Sequence, residues 1–492
     1  MNSLDPRAGS NRLFFAWRAM LVCLFMMHSW GCVASADPAK SDPHRLIVLT
    51  DMGADPDDQQ SLIRLLLYAN EIDIEGLIAT TSVWQQEVIR ADLVQEILAT
   101  YGKVQPNLTL HSKDFPTALT LSRRLKRGQA AFGMAGVGEG RSSEGSDWIL
   151  KQLEVDDPRP LWISVWGGVN TLAQALYDLR ANKTPEELNR LVSKLRVYTI
   201  SDQDDSGPWL RAEFPDLFYI VSPGDHYQSA TWFAMMSKID GIDNQTISNP
   251  WLDANIQQGH GALGAQYPDV AWGMEGDTPA FLNLIPNGLN EPEHPDWGGW
   301  GGRYEVSQPE LENILDGHSE LEPVPESRPI WSDTSDTFTP HIARQYGRPV
   351  IKSETSFSGN QVTLWRWRDQ IQNDFAARMD WSVQAVDAAN HPPMVRVERS
   401  YIKVRSGEMI SLDASASTDP DGDNLSYLWF HYPEAGTYPD VIAVEGSDNT
   451  RSVRVTAPDV SAPQTAHFIL AVTDKGEPAL TRYARVIVEI TP

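Results

Sequence analysis

The sequence predicts an α/β domain, an open and mostly parallel sheet with flanking helices, followed by a smaller all-β sandwich. The strand-to-helix order carries the first part. An apolar, mostly branched run at 46–49 passes through a short loop into a helical pattern with Leu62, Leu65, Leu66 and Ala69 on one face, and the same order recurs at 74–101 and 161–173. The second part rests on the proline pair Pro392-Pro393, beyond which short alternating strands at 394–397, 409–412, 427–430, 452–456, 467–472 and 484–490 are separated by turn residues. Residues 37–388 are assigned to the α/β domain, 389–492 to the sandwich and 1–36 to a leader.

In the leader, Arg12 and Arg18 precede an apolar run at 19–27, and Ala34-Ser35-Ala36 offers a small-residue cleavage site. This is the pattern of a secretory signal, too short for a permanent membrane span. The expected mature start is Asp37, and the expected destination is the periplasm or the medium. Lipoprotein processing at Cys32 is the second choice, because Ser29 and Trp30 fit a lipobox poorly. Cys23 and Cys32, the two cysteines of the chain, both fall in the leader, so the exported protein is expected to use neither disulfides nor thiol chemistry. Asp and Glu number 66 against 40 Lys and Arg, a net charge of -26, which argues against nucleic acid or an anionic membrane as partner and suits cation binding.

The loop after the first strand reads Asp51-Met52-Gly53-Ala54-Asp55-Pro56-Asp57-Asp58. In an open parallel sheet it lies at the carboxyl ends of the strands, where ligands bind. Crowded carboxylates repel one another unless a proton or cation intervenes, and oxygen donors suit Ca²⁺ before Mg²⁺. On spacing alone, Asp57 and Asp58 equally fit residues complementing a helix N-terminus, with Asp51 and Asp55 facing water.

A second strand at 74–81 runs into Trp84, and a helix at 86–101 is expected to end near Gly102, with 108–111 a candidate third strand. The glycine-rich stretch 133–145 reads as a loop, since it lacks the Gly-Lys-Ser/Thr ending of a phosphate cradle. The strand at 161–165 breaks at Trp166-Gly167-Gly168 and enters a helix. Thr184-Pro185-Glu186-Glu187 is a capping box before a scaffold helix. A strand at 196–200 delivers Asp204 and Asp205, which are candidates to hold sugar hydroxyls, although for either residue singly a solvated Asx turn before Pro208 is the better fit. His260, between two glycines, is a candidate acid for a leaving group. Trp297 and Trp300, spaced by glycines, are candidate stacking platforms for a sugar or base. The stretch 308–349 reads as a surface excursion, and 374–383 as the last helix of the domain. Asp419, Asp421 and Asp423 lack the twelfth-position Glu of an EF-hand and read as a turn.

The Asp-x-Gly turn with an Asp-Asp pair opening a helix resembles the N-terminal signature of nucleoside hydrolases. Residues 50–60 with Glu75-Gly76-Leu77-Ile78-Ala79-Thr80-Thr81-Ser82 resemble more closely a family of secreted nucleoside-hydrolase-like proteins described as cellulose-binding. The sandwich resembles immunoglobulin-like and PKD-type modules, with Trp429 as the core tryptophan. The resemblance implies a Ca²⁺ held by Asp51, Asp57, Asp58, Asp277 and the Trp166 carbonyl. It implies Asp51 as acceptor of a water proton, and substrate contacts from Trp84, Asp204, Asp205 and Glu213. The chain departs from the hydrolase pattern at Leu49, where those enzymes carry an aspartate, and in extra residues between Gly53 and Asp57. It also lacks the sugar-binding asparagines, at Pro215 and around Val83-Trp84. The expected function is Ca²⁺-dependent hydrolysis of an N-ribosyl-like glycosidic bond. The rival is a non-catalytic binder of cellulose or another polysaccharide.

Overall fold

A computed structural model describes residues 42–492 apart from 224–226, 272, 310–323, 343–350, 353–354 and 448. The expected leader at 1–36, both cysteines and part of the 308–349 stretch lie outside the described residues, among which no helix is long and apolar enough to cross a membrane.

The run His44–Thr50 forms β1, a buried central strand. Its side chains alternate between two layers: Leu46 and Val48 enter one apolar core, Ile47 and Leu49 the other. Parallel to β1 lie β2 (Ile72–Ala79) on one side and, on the other, a strand at Leu161–Val165. With β3 at Leu125–Arg127, that strand is β4, followed by β5 (Leu195–Ser201), β6 (Phe218–Ser222), β7 (Tyr304–Ser307) and β8 (Ile330–Asp333). The sheet order is β3-β2-β1-β4-β5-β6-β8-β7, and every neighbouring pair is parallel except β7 with β8. The chain winds outward from β1 to β3 and then returns to the far side of β1 at β4. The carboxyl ends of β1 and β4 therefore flank the crevice where open α/β sheets bind ligands.

Several local expectations are corrected. The helix α1 covers Asp57–Leu67, and α2 covers Ala91–His111, passing straight through Gly102 and Pro106. Val94, Ile97, Leu98, Tyr101, Val104 and Leu108 form one continuous buried face, so 108–111 completes a helix and is not a strand. Gly102 serves packing rather than termination: a Cβ there would sit 3.1 Å from that of Ala118 on the next helix. A helix at Glu144–Leu153, opened by a Ser143–Ser146 capping box, follows the glycine-rich stretch. Within 308–349, residues 330–333 are not an excursion but the strand β8. The last helix begins at Arg368 rather than 374 and ends at Asp380. Met394 makes only a single bridge, to Thr418.

In the C-terminal region, Tyr401–Arg405, Thr481–Thr491, Gln464–Thr473 and Ser426–His431 form one sheet, and Met409–Asp413 pairs with Ser452–Thr456 in another. Their inner faces enclose Trp429, Phe468, Leu470, Val486 and Val488. The outer face of the larger sheet is tied to the α/β domain. Buried Arg485 donates to the carbonyls of Leu289 and Gly298, each at 2.8 Å, the Tyr483 amide donates to Asn287 at 2.8 Å, and Arg482 pairs with Asp374 at 2.6 Å.

Candidate functional site

The acidic loop turns at Gly53, whose φ of +99° belongs to the region that favours glycine, with Leu93 packed against it. The turn sends Asp51, Asp55, Asp57 and Asp58 toward one point. Asp51 accepts a hydrogen bond from Ser82 and Asp58 one from Thr50, while Gln85 donates to the carbonyls of Asp51 (3.0 Å) and Met52 (3.2 Å). Carboxylate oxygens of Asp55, Asp57 and Asp58 lie within 4.8 Å of one another. From β4, the double glycine reaches the same point: a Cβ on Gly167 would lie 2.6 Å from Asp51 Oδ1.

Asp277 completes the cluster from the far side, and α1 holds it there. The carboxylate of Glu275, at a strained φ of 53°, is gripped by Arg64 at 2.5 and 3.0 Å and by Tyr267 at 2.6 Å. The Glu275 amide donates to Gln60 at 2.9 Å, and Thr278 bonds Ser61 at 2.9 Å. A helix that presents Asp57 and Asp58 at its N-terminus thus anchors the segment carrying Asp277. That carboxylate is 1% exposed, and its Oδ2 has no hydrogen-bond partner.

Burial and mutual repulsion raise the proton affinity of these groups. Asp51 is pushed up to about 6 by burial and the charge of Asp55, against the pull of the Ser82 hydrogen bond. Asp57, Asp58 and Asp277 are held well above the usual carboxylate range, first by burial and then by the surrounding aspartates.

The five carboxylates form one wall of a cavity of about 430 Å³, and Trp84, Trp166, Tyr227, Trp232 and Phe233 form much of the rest. Trp84 is 55% exposed at the rim, its ring meeting Tyr227 edge-on at 6.3 Å between centroids. No Lys, Arg or His is among the described lining residues. The Trp166 carbonyl accepts from Gln203 at 2.5 Å and keeps a second lone pair.

Other candidates lie elsewhere. His260 bonds Asp380 at 3.0 Å, at the end of the last helix, and does not line the cavity, so its role as acid for a leaving group there is withdrawn. Glu213 is exposed on the end of its helix in an ion pair with Arg180, also outside the cavity. Asp204 is buried and bonded to the amides of Asn170 (3.1 Å) and Ser206 (2.9 Å), and Asp205 accepts from Met134 N at 2.7 Å. Asp204 makes the Asx turn at Ser206, buried rather than solvated, whereas Asp205 ties the β5 loop to the turn at 133–136, and neither lines the cavity. Trp300 is fully buried, its Nε1 directed at the Tyr483 hydroxyl. Trp297 stacks on His294 at 3.9 Å and meets His467 edge-on at 4.8 Å. Both tryptophans pack where the sandwich meets the α/β domain and offer no open platform.

Asp55, Gln203, Tyr227 and Trp232 line the cavity but stand outside the set expected from the sequence. Asp55 was visible as one more acidic residue of the loop. The others had no pattern to mark them, since their places depend on how the β5 and β6 loops fold back.

The donor set fits a hard divalent cation: aspartate oxygens and a peptide carbonyl, no basic side chain to neutralise them among the described lining residues, and a buried Asp277 oxygen without a partner.

Residues 45–304 match the family model "Cellulose-binding Sde182, nucleoside hydrolase-like domain", and 409–490 match "Cellulose-binding protein Sde0182, C-terminal domain". No curated protein matches the chain. Among solved structures, a nucleoside hydrolase-related hypothetical protein from Saccharophagus degradans, described as associated with carbohydrate metabolism, is 35% identical over 92% of this chain and 100% of its own, with a TM-score of 0.75. The PKD domain of the KIAA 1837 protein is 26% identical over 19% of this chain and 81% of its own, with a TM-score of 0.15, an overlap too poor to define the sandwich further. The matched domains, in this order and over this length, mean that the chain belongs to the Sde182 family of nucleoside hydrolase-like, cellulose-binding proteins.

Proposed function

We propose that this protein holds the end of a glycan or a small glycoside through a carboxylate-bound Ca²⁺ and hydrolyses the glycosidic bond seated in the cavity. The observation that carries this reading is the convergence of Asp51, Asp57, Asp58 and Asp277, with one buried oxygen unpaired, at the head of a sugar-sized cavity with an aromatic wall. Bound there, Ca²⁺ would supply a positive centre for two neighbouring sugar hydroxyls, held by those aspartates and the Trp166 carbonyl. Asp51, beside the place of that ion, takes the proton of a water attacking the anomeric carbon. The surrounding carboxylates stabilise the positive charge that develops on the ring. Trp84 and Tyr227 provide faces for the group beyond the scissile bond.

A second reading, binding without turnover, draws on one specific observation: with His260 turned to Asp380, no imidazole stands among the described lining residues to protonate a leaving group. The family name points to a polysaccharide partner, and cellulose is the first to try. The leader supports export, checked by finding Asp37 at the N-terminus of the exported protein.

The test is Ca²⁺ calorimetry on the full chain and on Asp58→Asn, followed by a panel of nucleosides, aryl glycosides and cello-oligosaccharides. Turnover of any of these that is lost in Asp58→Asn supports hydrolysis. Binding of sugar or cellulose without turnover selects the second reading, and absence of Ca²⁺ binding defeats the first.

A further inference from the structure

The cavity is a blind pocket. Its floor is the carboxyl edge of the sheet: Asp51 after β1, Trp166 after β4, and Ile200 and Ser201 at the end of β5 are all buried, and the packed strands behind them leave no way through. Asp58, Gln203, Trp232 and Asp277 continue upward as buried walls. The exposed and half-buried lining residues, Asp55, Trp84, Tyr227, Phe233, Met236 and Gly273 among them, form the mouth. A ligand that reaches the floor ends there.

Trp84 is held in place although its ring is open to solvent. Its amide donates to the Ser82 hydroxyl at 3.1 Å, the Val83 amide donates to the Gln203 carbonyl at 2.8 Å, and the Ser82 hydroxyl in turn donates to Asp51. The platform at the mouth and the floor below it therefore form one pre-built site. Among the described residues, Trp84 and Tyr401 are the exposed aromatic rings, and Tyr401 is engaged on the sandwich by Glu489 and Lys403. A crystalline face of sugar rings is met by a row of open aromatic faces, whereas the described surface offers a single one, at the entrance to the pocket. A phosphate or a uronate entering the pocket adds negative charge beside five carboxylates, with no Lys, Arg or His among the described lining residues to receive it.

We infer that the pocket takes the non-reducing end of an uncharged glycan, with the terminal ring on the floor, its anomeric carbon toward the mouth and the next ring on Trp84. This rests on the hydrolytic reading proposed above and gives it a direction. The bond to be cut joins the anomeric carbon of one ring to an oxygen of the next, and Asp51, which takes the proton of the attacking water, is buried on the floor. A chain entering by its reducing end would bring a free anomeric hydroxyl to the floor and leave its glycosidic anomeric carbons toward the mouth. Entry by the non-reducing end brings the bond within reach. One water is consumed. Its oxygen and one hydrogen join the anomeric carbon, and the carbon–oxygen bond breaks with its electron pair on the leaving oxygen. A proton from solvent at the mouth makes that oxygen a hydroxyl, while Asp51 returns its proton to solvent. The products are a monosaccharide and a chain one unit shorter.

Calorimetry on the full chain with Ca²⁺ compares cellotetraose and mannotetraose with derivatives of each, one carrying a fluorescent tag at the reducing end and one a benzylidene acetal on the non-reducing terminal ring. The tagged form is expected to bind within about twofold of its parent and the blocked form to bind about tenfold more weakly or worse. Where the tagged form turns over, mass spectrometry is expected to find free monosaccharide and the tagged trisaccharide as first products. A blocked form that binds like its parent, a tag that abolishes binding, or a first cut into two disaccharides overturns the direction. Failure of both tetraoses to bind overturns the assignment to an uncharged glycan. Turnover of a nucleoside or aryl glycoside by wild type and not by Asp58→Asn would in that case leave the proposed function standing.

Discussion

Gly167 lies directly against the carboxylate of Asp51, so that a methyl group in place of its hydrogen would come within 2.6 Å of Oδ1. The β4 loop thereby sets how far Asp51 can swing away from Asp58. Gly167→Ala is expected to displace Asp51 and weaken Ca²⁺ binding by roughly tenfold or more, about 1.4 kcal/mol. Calorimetry on the folded variant measures this, and unchanged affinity would count against Asp51 as a ligand.

The Arg64–Glu275 pair supports the other side of the cluster, with both side chains fully buried. Arg64→Leu leaves the Glu275 carboxylate without its partner, and loss of one member of a buried pair costs about 3–5 kcal/mol. Urea unfolding is expected to show a loss of that size. A shift below about 1 kcal/mol would mean that Tyr267 and Thr278 suffice to hold Glu275.

Trp84 and Trp300 separate binding from packing. Trp84→Ala, at an exposed rim position, is expected to change stability by less than about 0.5 kcal/mol while weakening the bound sugar. Trp300→Ala removes a buried ring and is expected to cost about 3–5 kcal/mol. Denaturant melts together with sugar titration check both, and the opposite pattern would reverse the assignments.

Acid should loosen the joint between the domains. His467 is pushed down to about 3 by burial and by the neighbouring Arg485 guanidinium, and burial lowers His431 to about 4. Each is neutral in the fold and has an unfolded value near 6.5, so the unfolded chain binds more protons between those values. Their contribution is fully present above about pH 6.5 and is lost as pH falls toward 4 and 3. The buried aspartates near 6, Asp204 and Asp474 among them, contribute with the opposite sign in the same region. The informative quantity is therefore the difference between wild type and His467→Gln. Urea melts from pH 7 to 4 are expected to give a flatter loss of stability in the variant.

The sequence was most readable where one pattern has one physical meaning. A short branched apolar run like 46–49, bounded by a turn, suits a buried strand, and the aspartates after it marked the loop at that strand's end, although spacing alone left them divided between capping the helix and meeting at one point. The alternating strands of the sandwich were equally plain, although 394–397 shows that alternation does not guarantee a pairing partner. Gly102 misled because glycine usually ends a helix, yet neighbouring packing carried α2 past it and through Pro106. Trp297 and Trp300 misled for a different reason: tryptophans among glycines suit an open stacking surface and a tight domain joint equally, and only the position of Tyr483 and His467 decides. His260 lacked any sequence neighbour that revealed Asp380, 120 residues away, as its partner.

The hydrogen bonds from Arg485 and Tyr483 to backbone of the α/β domain give the region from 389 to the end of the sequence a status that a modular sequence diagram would hide. Cutting the chain near residue 389 would strip Trp300 of its cover and leave the carbonyls of Asn287, Leu289 and Gly298 without donors. The shortened protein would then present a sticky, half-satisfied surface, so the two pieces behave as one structural unit rather than as a domain with an optional appendage.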